Sequence, residues 1–299
     1  MNTKTSNIAV THQDKLLFPK SRIIKQDVME YYKNIAPHIL PFLQNRPLTM
    51  QRFPRGISET GFFQKNASDY FPEWIETVII KKEGGWVRHV VCNTKETLLY
   101  LVNQNVLTFH IALSRIDKIE YPDKIIFDLD PPKGDFELAI KVAKILRVFL
   151  EEELGLITFV MTSGSKGLHI AIPIVTNKKF DQVHEFAKMI AEYISNKYPK
   201  ICTIATRKAK REGRLYIDYI RNSYSQTSVS PYAIRALENA PIATPLDWEE
   251  LNDKTLNAQK FTINSIFKRL ETKSNLWIDF DLKAKDISNA QRKLKLVLR

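Results

Sequence analysis

Two aspartates one residue apart end an apolar run, Ile125-Ile126-Phe127-Asp128-Leu129-Asp130, and Pro131 and Pro132 then stop any strand. Side chains alternate along a strand, so Asp128 and Asp130 share one face while Phe127 and Leu129 point into a core. At about 4 Å and an effective dielectric of about 20, two carboxylates repel by roughly 4 kcal/mol. A cation must offset that repulsion or one group takes up a proton, and a divalent metal is the functional way to supply the charge. Asp-x-Asp alone is a weak signal, and Asp279-Phe280-Asp281 repeats it in a charged tail.

Two later stretches carry groups that suit such a pair. Ser163-Gly164-Ser165-Lys166-Gly167-Leu168-His169 combines two serines, a lysine and two glycines that let backbone approach a ligand. It is not a Walker A loop, because a strand (169–174) follows where that motif opens a helix. Alternation turns His169 away from Leu168, Ile170 and Ile172. The basic run Arg207–Arg214 leads into a strand expected over 215–222, with Leu215, Ile217 and Tyr219 on one face and Asp218 on the other. A carboxylate in mid-strand costs free energy unless it is paired or metal-bound. Three strands thus offer Asp128 and Asp130, His169, and Asp218 to one side, a set suited to nucleotidyl transfer at two metals.

The elements that must position these groups read as α/β. A helix runs from about Gln26 to Leu40, with Lys15 and Lys25 near its N-terminal end, where the helix dipole also attracts anions. A strand is expected within 46–54, from Leu48 through Arg52 to Phe53, and the aromatic pair Phe62 and Phe63 sits in a Gly-marked turn, either as core or as a stacking surface for bases. Short strands follow near 78–81 and 86–92, then a helix near 95–103 and a strand ending at His110. Asp135 can cap a long apolar helix, 136–154, which with the next strand (157–161) completes a strand–helix–strand unit. An amphipathic helix spans Phe180 to Tyr198. The division expected is a single domain, with an N-terminal lobe (1–120), a catalytic lobe built on a mixed sheet (121–235), and a C-terminal segment (236–299) whose helices span about 247–270.

Composition points the same way. The 299 residues carry 45 Lys+Arg against 33 Asp+Glu, a net charge of +12, which favours a polyanionic partner, most often nucleic acid. No apolar stretch approaches the roughly 20 residues of a membrane span. The N-terminus lacks a signal-peptide core, and the two cysteines, Cys92 and Cys202, form no Cys-x-x-Cys pair. The chain therefore reads as cytoplasmic.

The three stretches Phe127–Pro131, Ser163–His169 and Ile217–Asn222 resemble the three motifs of archaeo-eukaryotic primases. They are most similar to the polymerase domain of bacterial ligase D and its stand-alone relatives in end joining. Asp14–Pro19, Arg46–Met50, Gly61–Asn66, Phe109-His110, Ser230–Arg235 and Thr244–Trp248 also look like that branch. The resemblance implies a mixed-sheet primase-polymerase that extends DNA 3′ ends with NTPs or dNTPs, and a nucleoid-associated location. Asp128, Asp130 and Asp218 would hold two divalent cations, Mn2+ or Mg2+. Ser163, Lys166, His169, Arg211, Arg235 and His110 would contact the nucleotide. Phe62 and Phe63, with Arg52, would meet the template, and Lys15 and Lys25 would grip a 5′-phosphate at the break. Arg221 departs from the family pattern. An ATP- or NAD-dependent DNA ligase and a Ku-type end-binding protein are the implied partners. Two other readings stand beside this one. A polymerase-beta type nucleotidyltransferase places its Gly-Ser turn before the Asp-x-Asp, the reverse of the order here. A non-catalytic nucleic-acid binder leaves three converging carboxylates without a purpose.

Overall fold

The computed structural model describes residues 10–82, 84–273 and 276–298 and shows a mixed α/β fold of two compact units. The first comprises 1–112, 229–243 and 261–271, and the second 113–228, 244–260 and 272–299. The chain therefore returns to its first unit twice, where the sequence suggested three consecutive segments.

In the first unit, the ribbon β1 (Leu16–Phe18) and β2 (Ile23–Ile24) leads into helix α1 (Lys25–Leu43). Val28, Tyr31, Tyr32, Ile35 and Ile39 recur at helical spacing and are all buried. The two tyrosines bury their rings but keep hydroxyl partners: Tyr31 donates to Tyr232 O (2.7 Å) and Tyr32 to Leu107 O (2.6 Å). Strand β3 (Leu48–Arg52) pairs antiparallel with both β4 (Phe62–Gln64) and β7 (Val106–Ala112). A separate hairpin joins β5 (Thr77–Lys82) to β6 (Gly85–Val90), and helix α2 (Lys95–Asn103) is capped by Thr94, whose hydroxyl accepts from Thr97 N.

The second unit is built on a six-stranded sheet in the order β11-β12-β8-β10-β9-β14. Its strands are β8 (Lys124–Asp130), β9 (Phe159–Thr162), β10 (Leu168–Pro173), β11 (Cys202–Thr203), β12 (Leu215–Asp218) and β14 (Thr244–Leu246); the short β13 (Thr227–Val229) carries the chain back to the first unit. β8 and β9 run parallel, joined by helix α3 (Phe136–Val148), but β10 lies between them and is antiparallel to both. Asp135 caps α3, accepting from Leu138 N at 3.0 Å, and the helix ends in a π-helical turn, Phe149–Glu153. α3 and α4 (Phe180–Lys197) pack against the sheet, and Phe127, Leu129, Ile170 and Ile217 are fully buried.

Two expected elements are shorter. The strand from Leu215 stops at Asp218, because the Asp218 carboxylate accepts from Ile220 N (2.9 Å) and turns the chain into a 3₁₀ turn, Ile220–Asn222. The expected helical stretch at 247–270 reduces to a 3₁₀ turn, Trp248–Asn252, and helix α5, Ile266–Thr272. Between them Asp253, Asn257 and Thr262 each accept from a backbone N–H two residues on, competing with helix formation. A last helix, α6, spans Ser288–Val297.

Candidate active site

Strand register builds the site. His169 and Asp218 are both direct cross-strand partners of Asp128, so β10, β8 and β12 place the three residues in one row. Asp130 lies in the next row of the same face, opposite Tyr216. Asp128 and Asp218 are mostly buried, whereas Asp130 is 43% exposed.

The charges are balanced by arginines. Arg221 Nε lies 3.3 Å from Asp218 Oδ2 and 3.6 Å from Asp128 Oδ2, so one guanidinium bridges both carboxylates. Arg211 Nη1 lies 3.9 Å from Asp130 Oδ2, its guanidinium stacks over Tyr216 at 3.9 Å, and it donates to Ala205 O and Thr206 O. This compensation is incomplete. Burial and the Asp128 charge raise the Asp130 carboxyl above its ordinary range, with Arg211 opposing. Burial also raises Asp218, with Arg221 opposing and Asp128 adding to the rise. His169 Nε2 is 3.3 Å from Asp128 Oδ1, and its Nδ1 lies 3.4 Å from Ser228 Oγ, so the ring is held from both sides.

The glycine-marked loop is folded around its first serine. Ser163 is buried, and its Oγ accepts from the backbone N–H groups of Ser165, Lys166 and Gly167 at 3.1–3.2 Å. Gln259 Nε2 donates to Ser165 O at 2.8 Å and braces the turn. Lys166 is exposed and lines a cleft of about 390 Å³ together with Asp130, Lys133, Lys208, Arg211 and Arg214. Arg214 is turned back onto the carbonyls of Arg211, Lys210 and Pro199, which leaves Arg211 as the arginine beside Asp130.

The remaining sequence-selected residues lie in the first unit. Phe62 and Phe63 on β4 are 46% and 61% exposed. Arg52 is buried with its guanidinium over Phe62 (5.6 Å), donating to Gln104 O, Gln64 Oε1 and Tyr70 Oη. It braces the aromatic strand, a supporting place that the sequence reading did not give it. His110 packs edge-on against Phe63, and Arg235 N donates to Pro241 O at 2.7 Å. Lys15 is half-buried. Lys25 is only 1% exposed, and its ammonium donates to Thr11 O (2.8 Å) and Asn103 O (2.6 Å), so it is turned inward and does not present a surface grip. Burial and the nearby Lys15 charge lower the Lys25 ammonium to about 8.

The second Asp-x-Asp is structural: Asp281 pairs with Arg115 at 2.6 Å and Asp279 with Lys283 at 3.6 Å. Sequence reasoning did not single out Asn222, whose buried amide donates to Ile126 O and accepts from Ile126 N, fixing the turn after Asp218 onto β8. Nor did it reach Tyr216, Lys133 or the bridging place of Arg221. The Ile-Asp-Tyr-Ile-Arg-Asn stretch contained that signal, but only an i,i+3 turn brings Arg221 back to Asp218.

Among the described residues no group of three or more His, Cys, Asp or Glu side chains stands ready to hold a metal ion. The donor chemistry nevertheless fits hard divalent cations: three carboxylates share one face, and burial and mutual repulsion raise two of them, a burden a bound cation would relieve. Arg221 and Arg211 lie beside those carboxylates here and would have to move aside. No helix among the described residues is long and apolar enough to cross a membrane.

Residues 24–277 match the family model described as LigD, primase-polymerase domain. The chain is 34% identical over 272 residues to the bifunctional non-homologous end joining protein LigD of Bacillus subtilis, covering 90% of this chain and 43% of that protein. It is 29% identical over 280 residues to the multifunctional LigD of Mycolicibacterium smegmatis, covering 93% and 36%. It thus spans less than half the length of these curated relatives. Among solved structures, the polymerase domain from Mycobacterium tuberculosis ligase D in complex with DNA superposes with a TM-score of 0.86 at 26% identity, covering 93% of this chain and 99% of that one.

Proposed function

Because the chain belongs to the LigD primase-polymerase family, a family of nucleotidyltransferases, we propose that it binds DNA ends and extends their 3′ termini with NTPs or dNTPs, filling gaps during non-homologous end joining. The observation that carries this reading is the row His169–Asp128–Asp218, with Asp130 beside it at the edge of a cationic cleft. Asp128, Asp130 and Asp218 would hold two divalent cations, Mn2+ or Mg2+, whose chemistry there is to neutralise charge on the α-phosphate and align the 3′-hydroxyl. His169, steadied by Ser228, orients Asp128. Lys166 and Arg211 face the triphosphate from the cleft, and the folded Ser163 turn sets where Lys166 stands. His110 and Arg235 are proposed to join the nucleotide contacts. The exposed Phe62 and Phe63 offer stacking faces to template bases, with Arg52 as their support.

Lys15 and Lys25 are proposed to favour a 5′-phosphate at the break, Lys25 acting as a buried charge. The sign of its pH dependence follows from the lowered value. The ammonium is mostly charged at pH 7 and its charge is lost as pH rises through about 8, while the phosphate is already doubly charged above about pH 7. The preference for phosphorylated over hydroxyl ends should therefore shrink between pH 7 and 9, and Lys25→Ala should remove that dependence. Anisotropy titrations with the two kinds of end measure it, and a pH-invariant preference in the parent would count against the assignment.

The proposed partners are a nick-sealing ligase, ATP- or NAD-dependent, and a Ku-type protein holding the ends. Sealing needs a lysyl-nucleotide site of the Lys-x-Asp-Gly kind, and no Asp-Gly dipeptide occurs in the sequence. A gapped duplex with a 5′-phosphate, incubated with nucleotides, ATP or NAD, and Mn2+ or Mg2+, should give extended but unsealed product. Added ligase should restore sealing. No extension with either metal would refute the polymerase reading, and sealing by the chain alone would refute the need for a ligase partner.

A further inference from the structure

The cleft beside Asp130 holds more positive charge than the family motifs supply. Five cationic side chains line it against the single carboxylate of Asp130. Two are committed: Arg211 to Tyr216 and the carbonyls of Ala205 and Thr206, Arg214 to the carbonyls of its own loop. The other three, Lys133, Lys166 and Lys208, are drawn into no ion pair or side-chain hydrogen bond among the described residues. Three ammonium groups without counter-ions around one hollow repel one another, and a polyanion entering the hollow relieves that repulsion. A second cleft of about 330 Å³ shares Pro132, Lys133 and Lys166 with the first and opens along Ser165, Asn257 and Gln259. Lys133 and Lys166 thus line both hollows, and Lys208 lines the first.

We infer that Lys133 and Lys208, neither of which lies in the stretches that carry the family resemblance, bind the pyrophosphate leaving group of nucleotidyl transfer and guide it out of the site. The inference rests on the nucleotidyl-transfer reading above. In that step the 3′-oxygen forms a bond to the α-phosphorus and gives up its proton to solvent. The bond from the α-phosphorus to the α–β bridging oxygen breaks, and pyrophosphate departs with that electron pair and several negative charges. The charge therefore grows on the departing group, where cationic side chains without a fixed partner are of most use. Lys166, at the turn, serves the bound triphosphate. Lys133 and Lys208 meet the group once it is free.

The test is calorimetric titration of the metal-free full chain with inorganic pyrophosphate, alongside pyrophosphate inhibition of primer extension. Lys133→Ala and Lys208→Ala should each weaken pyrophosphate binding by about two- to fivefold, the size of a solvent-exposed charged contact. The double variant should lose more than either, and Lys133→Arg should keep most of the affinity. Inhibition of extension by pyrophosphate should weaken in parallel, with affinity for duplex ends unchanged. Parental pyrophosphate affinity in the double variant would overturn the inference. So would a double variant that loses DNA affinity and keeps pyrophosphate, because the cleft would then carry a DNA strand. A parent that binds pyrophosphate through these lysines but never extends a primer would refute the reaction, not the anion site.

Discussion

Asp128→Asn or Asp218→Asn should lower primer extension by about a thousandfold or more while leaving affinity for DNA ends in place. Each change keeps side-chain size and hydrogen-bonding shape but removes one charge from the row on β8 and β12. Losing a group that holds charge-stabilising ions at a phosphoryl centre costs several kcal/mol of barrier, and about 1.4 kcal/mol is a factor of ten. Folding should not suffer. The Asp128 charge raises both Asp130 and Asp218, so Asp128→Asn removes repulsion from a buried cluster, and Arg221 keeps Asp218 as a partner. Thermal stability of the Asp128→Asn variant should equal or exceed the parent's, which separates loss of chemistry from loss of structure. Asp279→Asn is the control, since Asp279 faces Lys283 away from the site. Extension within tenfold of the parent by either active-site variant would remove these aspartates from the mechanism.

Gly167→Ala should destabilise the protein by about 3 kcal/mol or more, and what remains folded should be a poor polymerase. The glycine has no unusual dihedral to protect. It is needed because a Cβ there would stand 1.8 Å from Leu129 O and 2.9 Å from Pro131 Cδ, where β10 enters the sheet against the end of β8. Neither backbone nor a proline ring can retreat from such a contact as a flexible side chain would. Moving β10 would also shift His169 from its place opposite Asp128 and open the amide turn around Ser163, since Gly167 N is one of its three donors. Urea unfolding followed by circular dichroism reads the stability term, and extension per folded molecule reads the second. A variant within about 1 kcal/mol of the parent would mean that β8 and β10 can separate at little cost.

The local pattern was enough to mark out much of this site. Alternation along 125–130 and 215–218 determined which face each carboxylate takes, because a strand's period of two leaves no other choice once Phe127, Leu129 and Ile217 must be buried. Helical spacing likewise determined the buried side of α1 and of α4. The tertiary structure decided which residues on that common face meet. Register across β10, β8 and β12 made a row of His169, Asp128 and Asp218, and register depends on pairing between segments far apart in the chain, which no local pattern encodes. It also decided the fate of individual cations that look alike in sequence. Arg211 faces Asp130 while Arg214 folds onto its own loop, and Arg221 reaches the carboxylates only because Asp218 ends its strand in a tight turn. Lys25 is buried under carbonyls while Lys166 is exposed at the cleft. Residue type determines that a charge needs a partner, and the three-dimensional path of the chain determines which partner it finds.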